Sequence, residues 1–458
     1  MKNKFVKAVV LLLSFVFLLT VLPACGTEQD NVIKIGFTDA GYGHEFLEDL
    51  IDKFETKYPE YKVKWDGDPK FYTRIPTYIE NGSDYDIMFS MTQLWQQWAA
   101  RGQLENLDSV YASVVDDVTI ESKIIPEFIS YGKSEGNDGV QHYYVMPWND
   151  GVTGIVYNAG MFEKYGWKVP NTVDELVSLC SKIKSDTNNK VKPFVYPGQT
   201  PSYWEYLCCA WWAQYEGIDN FNYFLTYPNA DVFSQQGRLK SLEAFEKLNL
   251  RESEGTNDTK CNAVKGSLSM THIQAQMSFL SEEAAMIPDG AWIETESKNV
   301  LPEGFKMLMM KTPYIDSSHK VGMNWTSAGD FICVPSYSKH KEGAKKFIAF
   351  MCTEENLRAY SSFTNTMRPF KYNTEEVEAN LSDFGKSVFA IWKDPKIQNI
   401  YEVSHSPLYT CGHVNKWPGL DSPYGVMLST KEKKTAKDCY DLTIYFVNQK
   451  WQSWLKDV

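Results

Sequence analysis

The chain has 458 residues, of which 43% are hydrophobic, and its formal net charge at pH 7 is −12. A chain of this length can bury a large core and is expected to form two domains. The excess of acidic side chains argues against nucleic acid or an anionic lipid surface as the main partner.

The N-terminal segment predicts export and lipidation. Three lysines precede a nearly all-apolar stretch at residues 9–21, which is too short to span a bilayer comfortably. The next residues, Leu22–Gly26, resemble the cleavage and acylation signal of a bacterial lipoprotein, with Cys25 as the lipidated residue; an ordinary secretory signal is the alternative. Removal of residues 1–24, which hold those lysines and no acidic residue, changes the charge from −12 to −15. Residues 25–31 then form the lipidated cysteine and a tether.

Eight further cysteines have no spacing typical of a metal site. No CxxC pair occurs, so we predict no zinc site, no other metal and no cofactor. An even number of cysteines in an exported protein permits disulfides. Cys333 and Cys352 lie in apolar stretches, where cysteine behaves as a small hydrophobic residue, and this favours mostly reduced thiols.

The first hundred residues alternate between strand and helix patterns. In chain order we predict a strand at Val32–Phe37, a Gly-rich turn at Thr38–Gly43, a helix with apolar positions from Phe46 to Phe54, a strand at Tyr61–Trp65, a helix at Phe71–Asn81 disturbed by Pro76, a strand at Asp86–Phe89, and a helix at Gln93–Arg101 ended by Gly102. This order implies a largely parallel sheet with helices on both faces. Ligands bind beyond the carboxyl ends of such strands, which draws attention to the loops Thr38–His44 and Ser90–Trp95.

The later segments continue the α/β pattern. They comprise a crossing into a second lobe at Pro147–Gly151, a strand at Val152–Tyr157, a helix at Thr172–Lys184 begun by a capping box of Thr172 and Glu175, a strand, turn and helix start at Ala284–Trp292, a strand at Phe331–Pro335 followed by an amphipathic helix, and a helix at Lys434–Leu455.

This order of segments resembles the extracellular solute-binding proteins of bacterial ABC importers, in particular the sugar-binding family related to maltose-binding protein. The resemblance spans nearly the whole chain after the signal. It is carried by Gly102–Leu107, by the Pro147–Asn158 crossing and strand, by Pro170–Leu176 and, most specifically, by Ala284–Trp292.

The resemblance implies an α/β fold of two lobes, of the kind found in periplasmic binding proteins, with hinge crossings and a ligand cleft between the lobes. We expect residues 32–146 and 311–362 in lobe 1, and residues 147–310 and 363–458 in lobe 2. The implied function is capture of a carbohydrate, in the favoured version an oligosaccharide, by lobe closure and its delivery to a membrane permease. Such a protein is a monomer, breaks no covalent bond, and works at the extracytoplasmic face of the cell membrane.

The same resemblance places Trp292 in the cleft against a sugar ring, with Asp289 as a hydroxyl acceptor. The alternative is that Trp292 packs between helix and sheet while Asp289 caps the following helix. Trp148, Asn149 and Asp150 lie at the inferred crossing and are predicted to face the cleft, although Asp150 could instead fasten the hinge.

Polar and aromatic side chains elsewhere complete the predicted site. In the first lobe they are Thr38, Asp39, Tyr42, His44, Ser90, Gln93 and Trp95; in the second lobe one or two of Tyr203, Trp204, Trp211 and Trp212, the rest being core; and in the returning segment Asn324, Trp325, Ser327 and Asp330. For Thr38 and Asp39 the alternative role is a helix N-cap. For Trp95, Trp98 and several of the second-lobe rings it is core packing.

Other functions stay open at this stage. An exported glycan hydrolase also uses tryptophans and paired carboxylates, but no catalytic constellation can be localised, and no nucleophile elbow, HExxH, P-loop or dinucleotide fingerprint is present. A binding protein for an anionic sugar, a polyamine or a peptide is a second alternative; the candidate loops contain few Arg or Lys, which disfavours an anion. A surface adhesin or a signalling receptor is a third.

Overall fold

The computed structural model describes residues 31–91, 95–252, 259–326, 329–402 and 404–458. Within them the strands are β1 (Val32–Thr38), β2 (Lys62–Asp68), β3 (Ile87–Ser90), β4 (Val114–Val115), β5 (Val118–Thr119), β6 (Lys133–Glu135), β7 (Gln141–Tyr143), β8 (Val145–Pro147), β9 (Thr153–Asn158), β10 (Lys192–Phe194), β11 (Ala284–Gly290), β12 (Met307–Met310), β13 (Gly322–Trp325), β14 (Phe331–Cys333) and β15 (Ile397–Ile400).

The α-helices of the same residues are α1 (Glu45–Lys57), α2 (Ile75–Asn81), α3 (Gln96–Ala100), α4 (Asp108–Tyr111), α5 (Ile120–Lys123), α6 (Ala159–Tyr165), α7 (Val173–Asp186), α8 (Glu205–Glu216), α9 (Ile218–Leu225), α10 (Gln236–Lys247), α11 (His272–Leu280), α12 (Ile293–Ser297), α13 (Lys341–Met351), α14 (Glu354–Thr364), α15 (Glu375–Asn380), α16 (Asp383–Trp392), α17 (Pro407–Thr410), α18 (Pro423–Leu428) and α19 (Ala436–Trp454). None of the helices in the described part of the chain has the length and apolar character needed to cross a membrane.

The first lobe is built on a five-stranded sheet in the order β2-β1-β3-β14-β8. Four of the strands run in one direction and only β14 opposes them, because it is antiparallel to both of its neighbours. Helices α1, α13 and α14 pack beside this sheet with their apolar faces buried. The sheet is therefore largely parallel and covered by helices, as the sequence predicts, and its strand ends carry the loops of interest.

The second lobe is built on a four-stranded sheet in the order β10-β11-β9-β12, in which only β9 is reversed. Neighbouring residues of β9 enter different core clusters: Ile155 packs on one face of the sheet and Val156 on the other. Because successive side chains of a strand point to opposite faces, both faces are covered.

A third, smaller sheet pairs β13 with β15. Strand β13 lies in the range 311–362 expected for lobe 1, but its residues Met323 and Trp325 pack in one cluster with α8, α9 and α19. The small sheet thus extends the core of the second lobe.

Three chain segments pass side by side between the lobes. The first joins β8 to β9, and in it Asp150 pairs with Met367 of the third segment while Val152 pairs with Thr326 of the second. The buried guanidinium of Arg368 donates to the carbonyl oxygens of Met351 and Pro147, at 2.7 and 3.3 Å, and so fixes the third segment to the first lobe.

Two local expectations are corrected by the structure. The helix predicted at Phe71–Asn81 is a 3-10 turn followed by α2, with Pro76 in the first turn, where its missing N–H has no intrahelical acceptor to lose. At α7 the Thr172 hydroxyl accepts from the Glu175 amide, but the Glu175 carboxylate accepts from the Asn171 amide rather than from that of Thr172. Only half of the predicted capping box is formed.

Gly36 in the centre of β1 tests the packing of the first lobe. A Cβ at this position would lie 2.0 Å from Cζ of Phe71, so Gly36→Ala forces that ring to move. We expect the variant to lose ~1–3 kcal/mol of unfolding free energy in urea denaturation, since overpacking a core costs about that much. Phe71→Leu should recover part of the loss in the double variant; strictly additive effects would contradict this account.

Candidate functional site

Several predicted site residues lie at the strand ends of the first lobe. Their side chains are bonded mainly to other groups of the protein. The Thr38 hydroxyl donates to the Phe89 carbonyl oxygen at 2.9 Å, and the Ser90 hydroxyl donates to that of Met91 at the same distance. Asp39 contacts the His44 ring nitrogen at 2.9 Å. Helix α1 starts after His44 without a side-chain cap, so neither Thr38 nor Asp39 serves as its N-cap.

Trp148 and Asn149 at the crossing are fully buried in this structure. The Trp148 ring stacks on Phe46 at a centroid distance of 5.8 Å and meets Phe89 edge-on, while its indole N–H donates to the Ser90 carbonyl oxygen. The Asn149 amide donates to the Asp330 carboxylate at 2.5 Å. Trp148 is thus part of the first-lobe core, and Asn149 is hydrogen-bonded to Asp330.

Asp150 joins all three crossing segments. Its backbone N–H donates to the Met367 carbonyl oxygen, and its carboxylate accepts from the Thr326 side chain, from the Trp392 indole at 2.9 Å and from the Tyr401 hydroxyl at 3.2 Å. Burial raises the pKa of Asp150 to about 6, against the lowering effect of these donors. Fastening of the hinge, the alternative role weighed for Asp150, agrees with these bonds.

A cavity of about 630 Å³ adjoins this crossing. Its lining includes Glu127 of the first lobe, Asn222 of α9, Trp392 and Tyr401.

Trp292 lies where the two lobes meet. Three tyrosines approach its ring edge-on: Tyr42 from the first lobe at a centroid distance of 6.3 Å, and Tyr203 and Tyr206 from the second lobe at 6.1 and 5.9 Å. The ring is 8% exposed, and it belongs to the core cluster of the first lobe although its backbone follows β11. Edge-to-face pairs of this kind are worth about 0.5–1.5 kcal/mol each beyond area burial.

Asp289 holds Trp292 in place and is linked through Gln276 to Glu296. The Trp292 side chain is hydrogen-bonded to Asp289, whose carboxylate also accepts from the Gly290 amide at 2.8 Å. The Gln276 side-chain amide donates both to Asp289, at 3.2 Å, and to Glu296, at 2.6 Å. Burial, and for Asp289 also repulsion from Glu296, raises the pKa of both carboxyl groups. Asp289 accepts from the adjacent backbone and does not cap α12.

Further contacts join α12 to the loop after β1. The Glu296 carboxylate accepts from the Gly41 backbone N–H, the Lys298 ammonium pairs with Glu45, and the position of a Cβ on Gly43 is 3.5 Å from the Thr295 methyl group. These contacts connect residues about 250 positions apart in sequence. They describe a closed arrangement of the two lobes.

The remaining predicted residues divide between the cleft and the core. Trp204, Trp211 and Trp212 are fully buried inside the second lobe, and the Asn324 amide donates to Asn399 within the small sheet. Trp95 and Trp98 pack against Phe331, and Trp95 also approaches Tyr131 at 6.2 Å. Trp325 receives the ammonium of Lys416 over its ring. Gln93, Ser327 and Cys25 lie outside the described residues.

Sequence reasoning missed Tyr206 and Glu296. A helical period could have found both, because Tyr206 is three residues after Tyr203 and Glu296 is four residues after Trp292. Gln276 had no such signal, since it reaches the site from a separate helix.

The sequence of the chain matches a known protein family. Residues 40–357 match the sequence profile of the family described as bacterial extracellular solute-binding protein. The chain is 24% identical to the "Multiple sugar-binding protein" of Streptococcus mutans serotype c over 391 residues, covering 80% of this chain and 82% of that protein. It is 23% identical to the "Diacetylchitobiose binding protein NgcE" of Streptomyces coelicolor over 359 residues, covering 74% and 69% of the two chains.

Solved structures share the fold. The ABC substrate-binding protein from Listeria monocytogenes in complex with cycloalternan superimposes with a TM-score of 0.66 at 19% identity, covering 92% of this chain and all of the other. At this identity the likeness shows the two-lobed α/β fold.

Asp150 predicts a specific pH dependence of stability. Its pKa is about 6 in the folded protein and near 3.8 in the unfolded chain, so the folded state binds the proton more tightly. The resulting stabilisation is present below pH 4 and is lost as pH rises to about 6, by up to about 3 kcal/mol. Asp150→Asn cannot titrate, so the difference between wild type and variant in urea denaturation should fall across pH 4–6. Parallel pH profiles would contradict this assignment.

Proposed function

Because the chain belongs to the family of bacterial extracellular solute-binding proteins, we propose that it is the carbohydrate-binding component of an ABC importer. It captures a sugar, and preferentially an oligosaccharide, between its two lobes and delivers it unchanged to a membrane permease. The protein acts as a binding protein and not as an enzyme.

The position of Trp292 carries this proposal. A broad indole ring, fixed from behind by Asp289, points out of the second lobe and meets a tyrosine of the first lobe. Aromatic faces pack on the C–H surfaces of sugar rings, and a carboxylate beside the ring accepts hydroxyl hydrogens. In the sugar-bound state a pyranose ring takes the place of Tyr42 beside Trp292.

The relatives support a carbohydrate over another solute. Two of them are named for sugars, and the structural relative from Listeria monocytogenes holds cycloalternan. The groups at the site agree, since Asp289 and Glu296 accept hydrogen bonds from Gln276 and offer no positive charge to an anion.

Closure follows from the geometry of the hinge. Three adjacent crossing segments limit the lobes to a bending motion, and bending separates Tyr42 and Glu45 from α12. A sugar that contacts both lobes favours the closed state by the difference in its affinity for the two states.

We also propose the cellular setting from the sequence. Cys25 is the lipid-anchored N-terminus, residues 26–31 are the tether, and the monomeric protein stands at the extracytoplasmic face of the cell membrane. The two sheets are the centres of the two lobes. The boundaries differ from those expected from the sequence, because Tyr314, Ile315 and β13 pack with the second lobe whereas Phe370 packs in the core of the first.

Trp292→Ala should weaken sugar binding at least about tenfold, because it removes the ring that contacts the ligand. Tryptophan fluorescence and calorimetry against mono- and oligosaccharides give the affinity, and circular dichroism checks the fold. Trp454→Ala is the matched control, since Trp454 is also 8% exposed but lies on the last helix. Equal affinities of the two variants would show that Trp292 is only a core residue. Release of sugar products by the wild type would favour the hydrolase.

Reversal of one charge should weaken closure. Lys298→Glu places two carboxylates opposite each other across the lobes, so we expect affinity for the same sugar to fall roughly two- to fivefold at low salt and less at 1 M salt. The swapped pair Glu45→Lys with Lys298→Glu should restore affinity. An unchanged affinity in the single variant would mean that the pair takes no part in closure.

A further inference from the structure

A second group of polar side chains lies apart from Trp292 in the second lobe. The Lys416 ammonium contacts Glu402 and lies 3.4 Å from Glu205, and it is 5.0 Å from the centroid of the Trp325 ring. Two carboxylates thus surround one ammonium. Lys416 is only 7% exposed, whereas the two glutamates keep about a fifth to a quarter of their side chains accessible.

Burial of these charged groups costs free energy, so the arrangement points to a functional role. Burial raises the pKa of Glu205, and attraction to the two carboxylates overcomes burial to hold the pKa of Lys416 well above its usual range. A buried ion pair contributes little net stability compared with apolar residues of similar size. Lys416 contacts the Oε1 atom of each glutamate.

Tyr227 provides an independent indication of a ligand. It is 2% exposed, and its hydroxyl has no hydrogen-bond partner within the described parts of the chain. Ser404, two residues after Glu402, donates to the carbonyl oxygen of Leu225, two residues before Tyr227, and this bond brings the segment of Tyr227 beside the group. The Tyr227 backbone has φ of +46°, a conformation that bulky residues rarely adopt and that concentrates at functional sites. Its ring lies parallel to that of Tyr409 at 5.9 Å.

The group is continuous with the cleft at Trp292. Glu205 begins α8, and the next residue, Tyr206, contacts the Trp292 ring. From the first lobe, the Gln97 side-chain amide donates to the carbonyl oxygen of Thr410, the residue after Tyr409. Residues of both lobes therefore meet near this group.

We propose that Glu205, Glu402, Lys416 and Tyr227 form a second sugar subsite, which binds the hydroxyl groups of a further ring of the same oligosaccharide. The other oxygen of each glutamate accepts from ligand hydroxyls, the Tyr227 hydroxyl gains the partner that it lacks, and the Tyr409 and Trp325 rings border the ligand. This inference rests on the proposed sugar-binding function and adds that a trisaccharide uses contacts that a monosaccharide does not reach.

Calorimetry with two series of probes tests the subsite: glucose, maltose and maltotriose, and galactose, melibiose and raffinose. Wild type should bind the trisaccharide of one series at least tenfold more tightly than its monosaccharide. Tyr227→Phe should weaken trisaccharide binding about fivefold or more, leave monosaccharide binding unchanged, and melt at the same or a higher temperature. Glu402→Gln should show the same selectivity for ligand length.

Tyr196→Phe is the matched control, because its buried hydroxyl also lacks a partner within the described residues but lies in the core of the second lobe. The proposal is overturned if Tyr227→Phe weakens trisaccharide binding no more than Tyr196→Phe does, or if it weakens mono- and trisaccharide binding equally. Sugar binding by wild type with no dependence on length overturns the subsite alone. Failure of wild type to bind any of the six sugars overturns the proposed function as well.

Discussion

The buried carboxylate of Asp150 is the constraint on which the rest of the structure depends. It lies in the middle of three crossing segments and is bonded to both of the others, through the Met367 carbonyl oxygen and the Thr326 side chain. The Trp392 indole and the Tyr401 hydroxyl donate to the same carboxylate and compensate in part for its removal from water. The two lobes are therefore held at one place and are free to approach each other elsewhere.

When the lobes approach each other, aromatic rings and the acidic side chains of Asp289 and Glu296 are removed from water. Asp289 and Glu296 share the single amide of Gln276, and burial favours the neutral form of both carboxyl groups. Donors from a hydroxyl-rich ligand would stabilise these oxygens better than a closed and empty cleft does. In the proposed function, this gain favours the sugar-bound closed state over the empty closed state, and that difference is what a transport receptor needs.

The sequence predicted the strands, helices and helix ends that depend on local patterns. The alternation of Val32–Phe37 and the helical period from Phe46 to Phe54 gave the first strand and helix, and Gly102 ends its helix with φ of +67° as expected. The short motif around Asp289 and Trp292 pointed to a region that does lie between the lobes. These signals succeed because each depends on residues within a few positions of one another.

Other features depended on tertiary neighbours that no local pattern encodes. Trp148 and Trp292 look alike in sequence, each an aromatic residue beside a Pro or Gly and an acid, yet Trp148 packs on Phe46 inside the first lobe whereas Trp292 reaches across the cleft. Glu205, Glu402 and Lys416 are spread over more than 200 positions and meet only after folding. Their meeting also bears on the class of ligand. The one lysine of this group is already paired with two carboxylates, so it is not available to neutralise an anion, and Asp289 and Glu296 add further acceptors. In the proposed function, a cleft with these acceptors favours uncharged hydroxyl donors over anionic sugars.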